Sequence, residues 1–339
     1  MITLVAAVLR LHRLGALSLW MDEGFTAWAA SMRWSEFVPM VTMREANMGA
    51  YFLFMRAWSW LGDSETMLRL PSALASIASV PVLFILARRM FDARVALVAA
   101  ALVAVHSGLL VYAQEARGYS IFVLLILISW IFLLRVLERP SPANCAGYVL
   151  VSTLSVYMHF FGVLSLVAQG VGLVAGGDAR TPWRRLAICA AAIAVLLLPI
   201  AGFVLFRDVG QIGWTARVRS HAGIRALAVM AGATLGNYRS VPGIATLAAY
   251  GAAVGLSAIA LMRAASRRDQ SYRMLSLAFA GAFVPLVVAM IVSVEKEIVI
   301  PRYLIECVPF AMILAAAGVC SLESNRRATV AAVALIALG

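Results

Sequence analysis

Residues 119–137 read YSIFVLLILISWIFLLRVL, a run in which Arg135 is the only charge and stands near the end. A helix of that length rises about 28 Å, close to the roughly 30 Å hydrocarbon core of a bilayer. In lipid every backbone polar group must be paired internally, which leaves helices or a closed barrel. Barrel strands are short and alternate in polarity. This run does neither, so it predicts a transmembrane helix.

Working outward, similar runs fall near 71–90, 95–112, 146–157, 160–175, 186–206, 244–262, 274–294 and 302–322, with partial runs at 1–11 and from about 328 onward. The chain of 339 residues is 63% hydrophobic and 13% charged, with a mean hydropathy of +0.93. A soluble domain carries about a quarter charged residues. The expected fold is therefore an all-α polytopic membrane protein, one transmembrane domain over 1–339. Both termini are read as truncated, the first run being too short to cross and the last stopping at Gly339. No small-residue cleavage site follows Leu11, so a signal peptide is not expected.

The net charge of +12 comes almost entirely from arginine, with Lys296 the single lysine. Blocks of basic charge can mark nucleic-acid binding, but here the arginines sit in short connectors between apolar runs. No nucleic-acid partner is expected; the partner implied is the lipid bilayer. One alternate set of connectors holds Arg88, Arg89 and Arg94; Arg135 and Arg139; Arg180, Arg184 and Arg185; Arg263, Arg267, Arg268 and Arg273; and Arg326 and Arg327. The positive-inside rule makes that set cytoplasmic. Segments 12–70, 113–118, 158–159, 207–243 and 295–301 are then outside, in a multi-pass protein of the inner (plasma) membrane. Whether 146–175 is two spans or one broken segment stays open. Cys145, Cys189, Cys307 and Cys320 show no disulfide framework and read as free thiols.

The first outer loop, about 12–70, holds five of the eight tryptophans. Trp34, Phe37, Val38 and Val41 recur at helical spacing, as do Tyr51, Phe54, Met55 and Trp58. Both sets predict amphipathic helices on the membrane surface. Connectors in bundles run to a few residues, so this loop reads as a structured lid.

Acidic residues are scarce, sixteen in all. Asp22 and Glu23 stand together at the outer boundary, Glu45 lies between the two surface helices, Glu115 and Arg117 share a short outer turn, and Glu295, Glu297 and Arg302 share the last one. Ionisable groups at membrane depth are costly and usually functional. The plainer reading leaves each of them solvated at the interface.

Several segments resemble one family. Leu19-Trp20-Met21-Asp22-Glu23-Gly24-Phe25-Thr26 resembles the "LWxDEaxT" signature that opens the first outer loop of the GT-C glycosyltransferases. Gly62-Asp63-Ser64-Glu65 with Leu68-Arg69-Leu70-Pro71-Ser72-Ala73 resembles "GdsefalRlPSa". Tyr112 to Ser120 resembles "ysqEaRmYal", Tyr157-Met158-His159-Phe160-Phe161-Gly162 resembles "YtHyfg", and Pro301-Arg302-Tyr303-Leu304 resembles "pRYll". The nearest groups are the protein O-mannosyltransferases and aminoarabinose transferases (glycosyltransferase family 39-like). Many relatives carry a His-Pro-Pro block after the first surface helix. Here Glu45-Ala46-Asn47-Met48-Gly49 stands in its place, which is similar to the aminoarabinose transferase form.

The resemblance implies a GT-C-type helix bundle and transfer of a sugar from a polyprenyl-phosphate donor to a hydroxyl acceptor on the outer face, with inversion. Which sugar and which acceptor, whether protein, lipid or glycan, are not specified. A carboxylate must take the acceptor's proton; Asp22 is the candidate base, with Glu23 orienting the loop or acceptor. The alternative for Asp22 is to cap a helix starting near Gly24. Guanidinium groups suit the lipid phosphate, so Arg117 and Arg302, with Tyr303, are candidate donor-phosphate contacts; snorkelling to the interface is their other reading. Glu45 and Glu115 are candidate substrate-binding or structural acids. No cofactor is required, though His159 and Glu45 could share a divalent metal ion. The competing reading is a lipid or solute transporter, which should show repeated halves and broken helices at the midplane; no repeat is visible. A non-catalytic assembly subunit would be free to lose Asp22 and Glu23.

Overall fold

The computed structural model describes residues 1–45, 47–206, 226–228, 230–232, 241–265, 270–293, 300–322 and 325–338. Glu295, Lys296, Glu297 and most of the 207–243 loop lie outside the described residues. Among the described residues all regular structure is helical. In chain order the α-helices are α1 (Ile2–Leu11), α2 (Met21–Ser31), α3 (Trp34–Pro39), α4 (Gly49–Trp58), α5 (Glu65–Met90), α6 (Ala93–Val105), α7 (Ser107–Ala113), α8 (Tyr119–Glu138), α9 (Pro142–Met158), α10 (Gly162–Gly176), α11 (Trp183–Leu196), α12 (Leu198–Phe206), α13 (Val241–Ala265), α14 (Gln270–Val292), α15 (Cys307–Cys320) and α16 (Asn325–Leu338). The chain is an all-α polytopic membrane protein. Its four cysteines are free thiols.

Four helices, α5, α8, α13 and α14, are long and apolar enough to cross a membrane; counting each of two bent pairs as one span gives six. Helices α1, α10 and α15 are apolar but shorter. Nine uninterrupted spans were expected, and two of them are broken. The run at 95–112 bends by 56° between α6 and α7. His106 supplies the break: its Nδ1 accepts from the Leu109 N–H at 3.3 Å, a local bond that competes with the helical ladder. Arg10 then satisfies the carbonyls left at the end of α6, donating to Ala104 at 2.7 Å and Val103 at 3.0 Å. Fully buried, Arg10 also donates to Ser76 Oγ at 2.7 Å. The run at 186–206 bends by 53°, where Pro199 lacks an N–H and disfavours the helical conformation of Leu198 before it.

The turn at 158–159 holds, with α9 ending at Met158 and α10 starting at Gly162. Close helix contacts use small residues, as bundles in lipid do. A methyl group placed on Gly318 of α15 would lie 1.8 Å from the Ala253 carbonyl oxygen of α13. Beside that contact Ser257 Oγ donates to the Leu314 carbonyl at 2.6 Å.

The surface helices exist, but their buried faces differ from the expected stripes. On α3, Phe37 is buried with Met40, while Trp34 and Val38 are exposed. The helix passes at Pro39 into a π turn, Met40–Arg44, whose wider winding changes the phase of the side chains. On α4, Tyr51, Phe52 and Met55 face inward. Phe54 and Trp58 instead stack on each other, centroids 5.9 Å apart.

Candidate active site

The site is built on the start of α2. Trp20 is the residue before the helix, and Asp22 and Glu23 occupy its second and third positions. Glu23 Oε2 accepts from the Trp20 N–H at 3.2 Å, so Glu23, not Asp22, caps the helix. The expected start near Gly24 therefore moves to Met21.

Glu23 is buried and fully committed. Arg69, on the first turns of α5, donates through Nε to Oε1 at 2.8 Å and through Nη2 to Oε2 at 2.7 Å. The Ala116 N–H adds a bond to Oε1 at 2.7 Å. These donors outweigh burial and hold the Glu23 carboxyl below its ordinary range, although burial alone would raise it. Arg69 also donates to the carbonyls of Leu14 at 3.0 Å, Leu17 at 2.8 Å and Ser18 at 3.2 Å. One ion pair thus ties together the loop before α2, the start of α5 and the turn holding Glu115 and Arg117. With both oxygens occupied, Glu23 positions the loop and has no oxygen left for an acceptor.

Asp22 differs. Its Oδ2 accepts from Arg302 Nη1 at 3.1 Å, and both side chains are about one-fifth exposed, 23% and 21%. The amino end of a helix carries positive partial charge that favours a carboxylate there. Arg302 sits on a short 3₁₀ turn, Pro301–Leu304, so α15 begins later than the expected 302. Arg117 approaches from the other side. Its Nη1 donates to the Asp22 backbone carbonyl at 3.3 Å and its Nη2 to Met48 Sδ at 3.2 Å. Its guanidinium lies 5.9 Å from the ring centroids of Phe52 and Tyr119. The two arginines expected at the donor phosphate therefore both contact Asp22, Arg302 at its carboxylate and Arg117 at its backbone carbonyl.

Two further carboxyls border this centre. Glu115 is pushed up to about 7, first by burial and then by the Glu23 charge, with Arg302 and Arg117 pulling the other way. Glu45 is raised, chiefly by burial and against Arg117. It ends the π turn, three residues before Met48, which is held at φ +66°. That left-handed conformation costs a non-glycine residue roughly 1–2 kcal/mol, and strain of this kind collects at functional sites.

His159 and Tyr303 form a separate wall. The His159 ring is fully buried among Tyr119, Phe122, Phe161 and Tyr303, with centroids 5.1 to 5.8 Å away. Its Nδ1 accepts from the Phe161 N–H at 3.3 Å, and burial lowers it to about 3, so the ring is neutral. Its Nε2 has no partner among the described residues. Those residues assemble no three His, Cys, Asp or Glu side chains able to hold a metal ion. Four aromatic rings around His159 do not fit such a site, and no step is derived through a metal.

Sequence reading missed Arg69 as a site residue, although an arginine in the first turns of an apolar helix was signal enough. It also missed Asn47, whose Oδ1 accepts from the Phe160 N–H at 3.1 Å and joins the lid to the His159 turn.

Residues 46–206 match the family model described as dolichyl-phosphate-mannose-protein mannosyltransferase. No curated protein matches the chain in sequence. ArnT from Cupriavidus metallidurans bound to undecaprenyl phosphate superposes with a TM-score of 0.67 at 18% identity, over 97% of this chain and 61% of that one. The chain shares the fold of that structure's helix bundle. ArnT in the apo state gives a TM-score of 0.64 at 18% identity, over 95% of this chain and 59% of that one. The apo oligosaccharyltransferase of Archaeoglobus fulgidus gives 0.63 at 13% identity, over 99% and 54%. The chain thus spans somewhat over half the length of those proteins. Asp22, Glu23 and Arg302 lie outside the family match, so the roles assigned to them rest on geometry.

Proposed function

We propose that this chain is an integral membrane glycosyltransferase moving a sugar from a polyprenyl-phosphate donor to a hydroxyl acceptor, with inversion, on the extracytoplasmic face. The observation that carries the reading is Asp22, its partly exposed carboxylate held by Arg302 and its backbone carbonyl by Arg117. Asp22 takes the acceptor proton as the new C–O bond forms. The bond from the anomeric carbon to the phosphate oxygen breaks, and the phosphate leaves with the electron pair. Arg302 and Arg117 stabilise that charge, which needs no acid catalyst. The same arginines suit a phosphate because guanidinium binds it bidentately and stays charged when partly dehydrated. ArnT was captured with undecaprenyl phosphate, which supports a polyprenyl-phosphate donor here.

One helix supports that side of the membrane. Helix α5 carries Arg69 at the site and Arg88 and Arg89 at its far end. The arginine-rich turns lie at that far end, which the positive-inside rule makes cytoplasmic. The test is Asp22→Asn in membranes supplied with a radiolabelled lipid-phosphate sugar. Loss of a general base should slow transfer by about 10²–10⁴-fold, with donor binding retained. Full transfer by that variant removes Asp22 from the chemistry.

A further inference from the structure

At the bundle end opposite Asp22, four helix termini enclose a cleft. The end of α5 contributes Arg89, the end of α8 Glu138, the turn after α10 Asp178 and Arg180, and the start of α14 Arg273. Along α5, twenty residues separate Arg89 from Arg69 of the site, a rise of about 30 Å. The cavity measures about 460 Å³. An adjoining one of about 390 Å³ shares Arg89 and Glu138 and adds Arg135 and Arg139.

Both carboxylates are consumed in building the walls. Arg273 Nη1 lies 2.6 Å from Asp178 Oδ2, and Asp178 Oδ1 accepts from the Arg180 N–H at 2.8 Å. Glu138 receives Arg89 through Nη1 alone, at 2.9 and 3.1 Å. Among the described residues, five guanidinium groups against two carboxylates leave an excess of three positive charges around the two adjoining polar cavities. That calls for an anion with several acceptor oxygens. Part of the lining is apolar, supplied by Leu134, Leu137 and Met274, and Trp183, three residues beyond Arg180 at the start of α11, is 47% exposed. Exposed tryptophan beside arginine at a helix end marks the headgroup level of a bilayer. A ligand with charged oxygens and acyl chains satisfies both parts; a free anion satisfies only the first.

We propose that this cleft binds the phosphodiester headgroup of an anionic phospholipid. Basic pockets between spans take such headgroups, each arginine near the surface being worth about a fivefold change in affinity. The site is independent of the transferase reading. The full chain, in nanodiscs of phosphatidylcholine with or without phosphatidylglycerol, would be released into native mass spectrometry and its retained lipid counted. Phosphatidylglycerol should be retained over phosphatidylcholine. Arg89→Gln combined with Arg180→Gln should reduce that retention by roughly tenfold or more. Arg33→Gln, on the lid at the other face, should not. Arg180→Gln alone removes no ion pair and keeps the test usable if the double variant unfolds. Equal retention of the two lipids, or unchanged retention in the Arg180→Gln protein, overturns the proposal. So does phosphatidylglycerol binding abolished by millimolar inorganic phosphate, which would assign the cleft to a free anion.

Discussion

Replacing Glu23 with Gln tests whether the second carboxylate of the Asp22-Glu23 pair holds the site together or takes part in chemistry. In the folded protein Arg69 is bound through two nitrogens to Glu23, with side chains only 5% and 1% exposed. Glutamine keeps the shape but removes the charge and one acceptor oxygen, leaving a buried guanidinium with only neutral acceptors, the amide oxygen and the Leu14, Leu17 and Ser18 carbonyls. Breaking a buried pair by neutralising one partner costs about 3–5 kcal/mol. The arginine lies near the interface, where water can reach a rearranged loop, so the lower end of that range is expected. The measurement is the unfolding free energy in mild detergent for Glu23→Gln, Arg69→Gln and the double variant. The double variant should be much less than the sum of the singles, with a coupling at the upper end of the roughly 0.5–3 kcal/mol seen for residues in contact. If Glu23→Gln kept its stability within about 0.5 kcal/mol, the ordinary range for inconsequential substitutions, and yet lost transfer, the structural assignment of Glu23 would be wrong.

Arg302→Ala should raise the donor concentration needed for half-maximal transfer by about tenfold or more, since a hydrogen bond to a charged group is worth about 1.5–3 kcal/mol; an unchanged donor dependence removes its phosphate role. Glu115 sits near 7 when folded, raised by burial and the Glu23 and Asp22 charges against Arg302 and Arg117. Its contribution to stability is full below about pH 4.5 and is lost as pH rises to about 7; Glu115→Gln should flatten that part of the stability–pH curve, and an unaltered slope assigns it elsewhere. Gly318→Val should destabilise the α13–α15 contact by at least about 1–3 kcal/mol, the usual overpacking cost, because even a methyl group there meets the Ala253 carbonyl; a wild-type unfolding midpoint would contradict that close approach.

Much of the site was legible because charge is rare in so apolar a chain. Asp22, Glu23, Glu115, Arg117 and Arg302 stood out against hydrocarbon, and the fold brings them to one end of the bundle. The division of labour between Asp22 and Glu23 was not legible. It depends on Arg69, 46 residues further on, and on the Ala116 N–H, 93 residues away. The breaks in the spans were partly written in the residues: Pro199 has a local reason to bend the chain, whereas the bend at His106 is sustained by Arg10 from a different helix. The lid helices were legible, and their buried faces only in part: Phe37, Tyr51 and Met55 are buried, while Trp34, Val38 and Phe54 are exposed. A metal at His159 was suggested by the resemblance; the rings of Tyr119, Phe122 and Tyr303, which pack on it from other segments, became visible only in the fold.

The proposed function gives the proton-accepting role to Asp22, and the surroundings of the four carboxyls support that choice. Glu23 is held ionised by Arg69 and backbone donors, and no oxygen of it faces a substrate. Glu115 and Glu45 are both pushed toward the protonated form by burial, which suits hydrogen-bond donation to a substrate better than proton abstraction. Asp22 alone combines partial exposure, a helix amino end and a neighbouring arginine. On the proposed function, a lipid phosphate arriving at this centre would compete for Arg302 and so loosen the guanidinium from the Asp22 oxygen. The carboxylate would thus be freed for the acceptor at the moment the donor is in place.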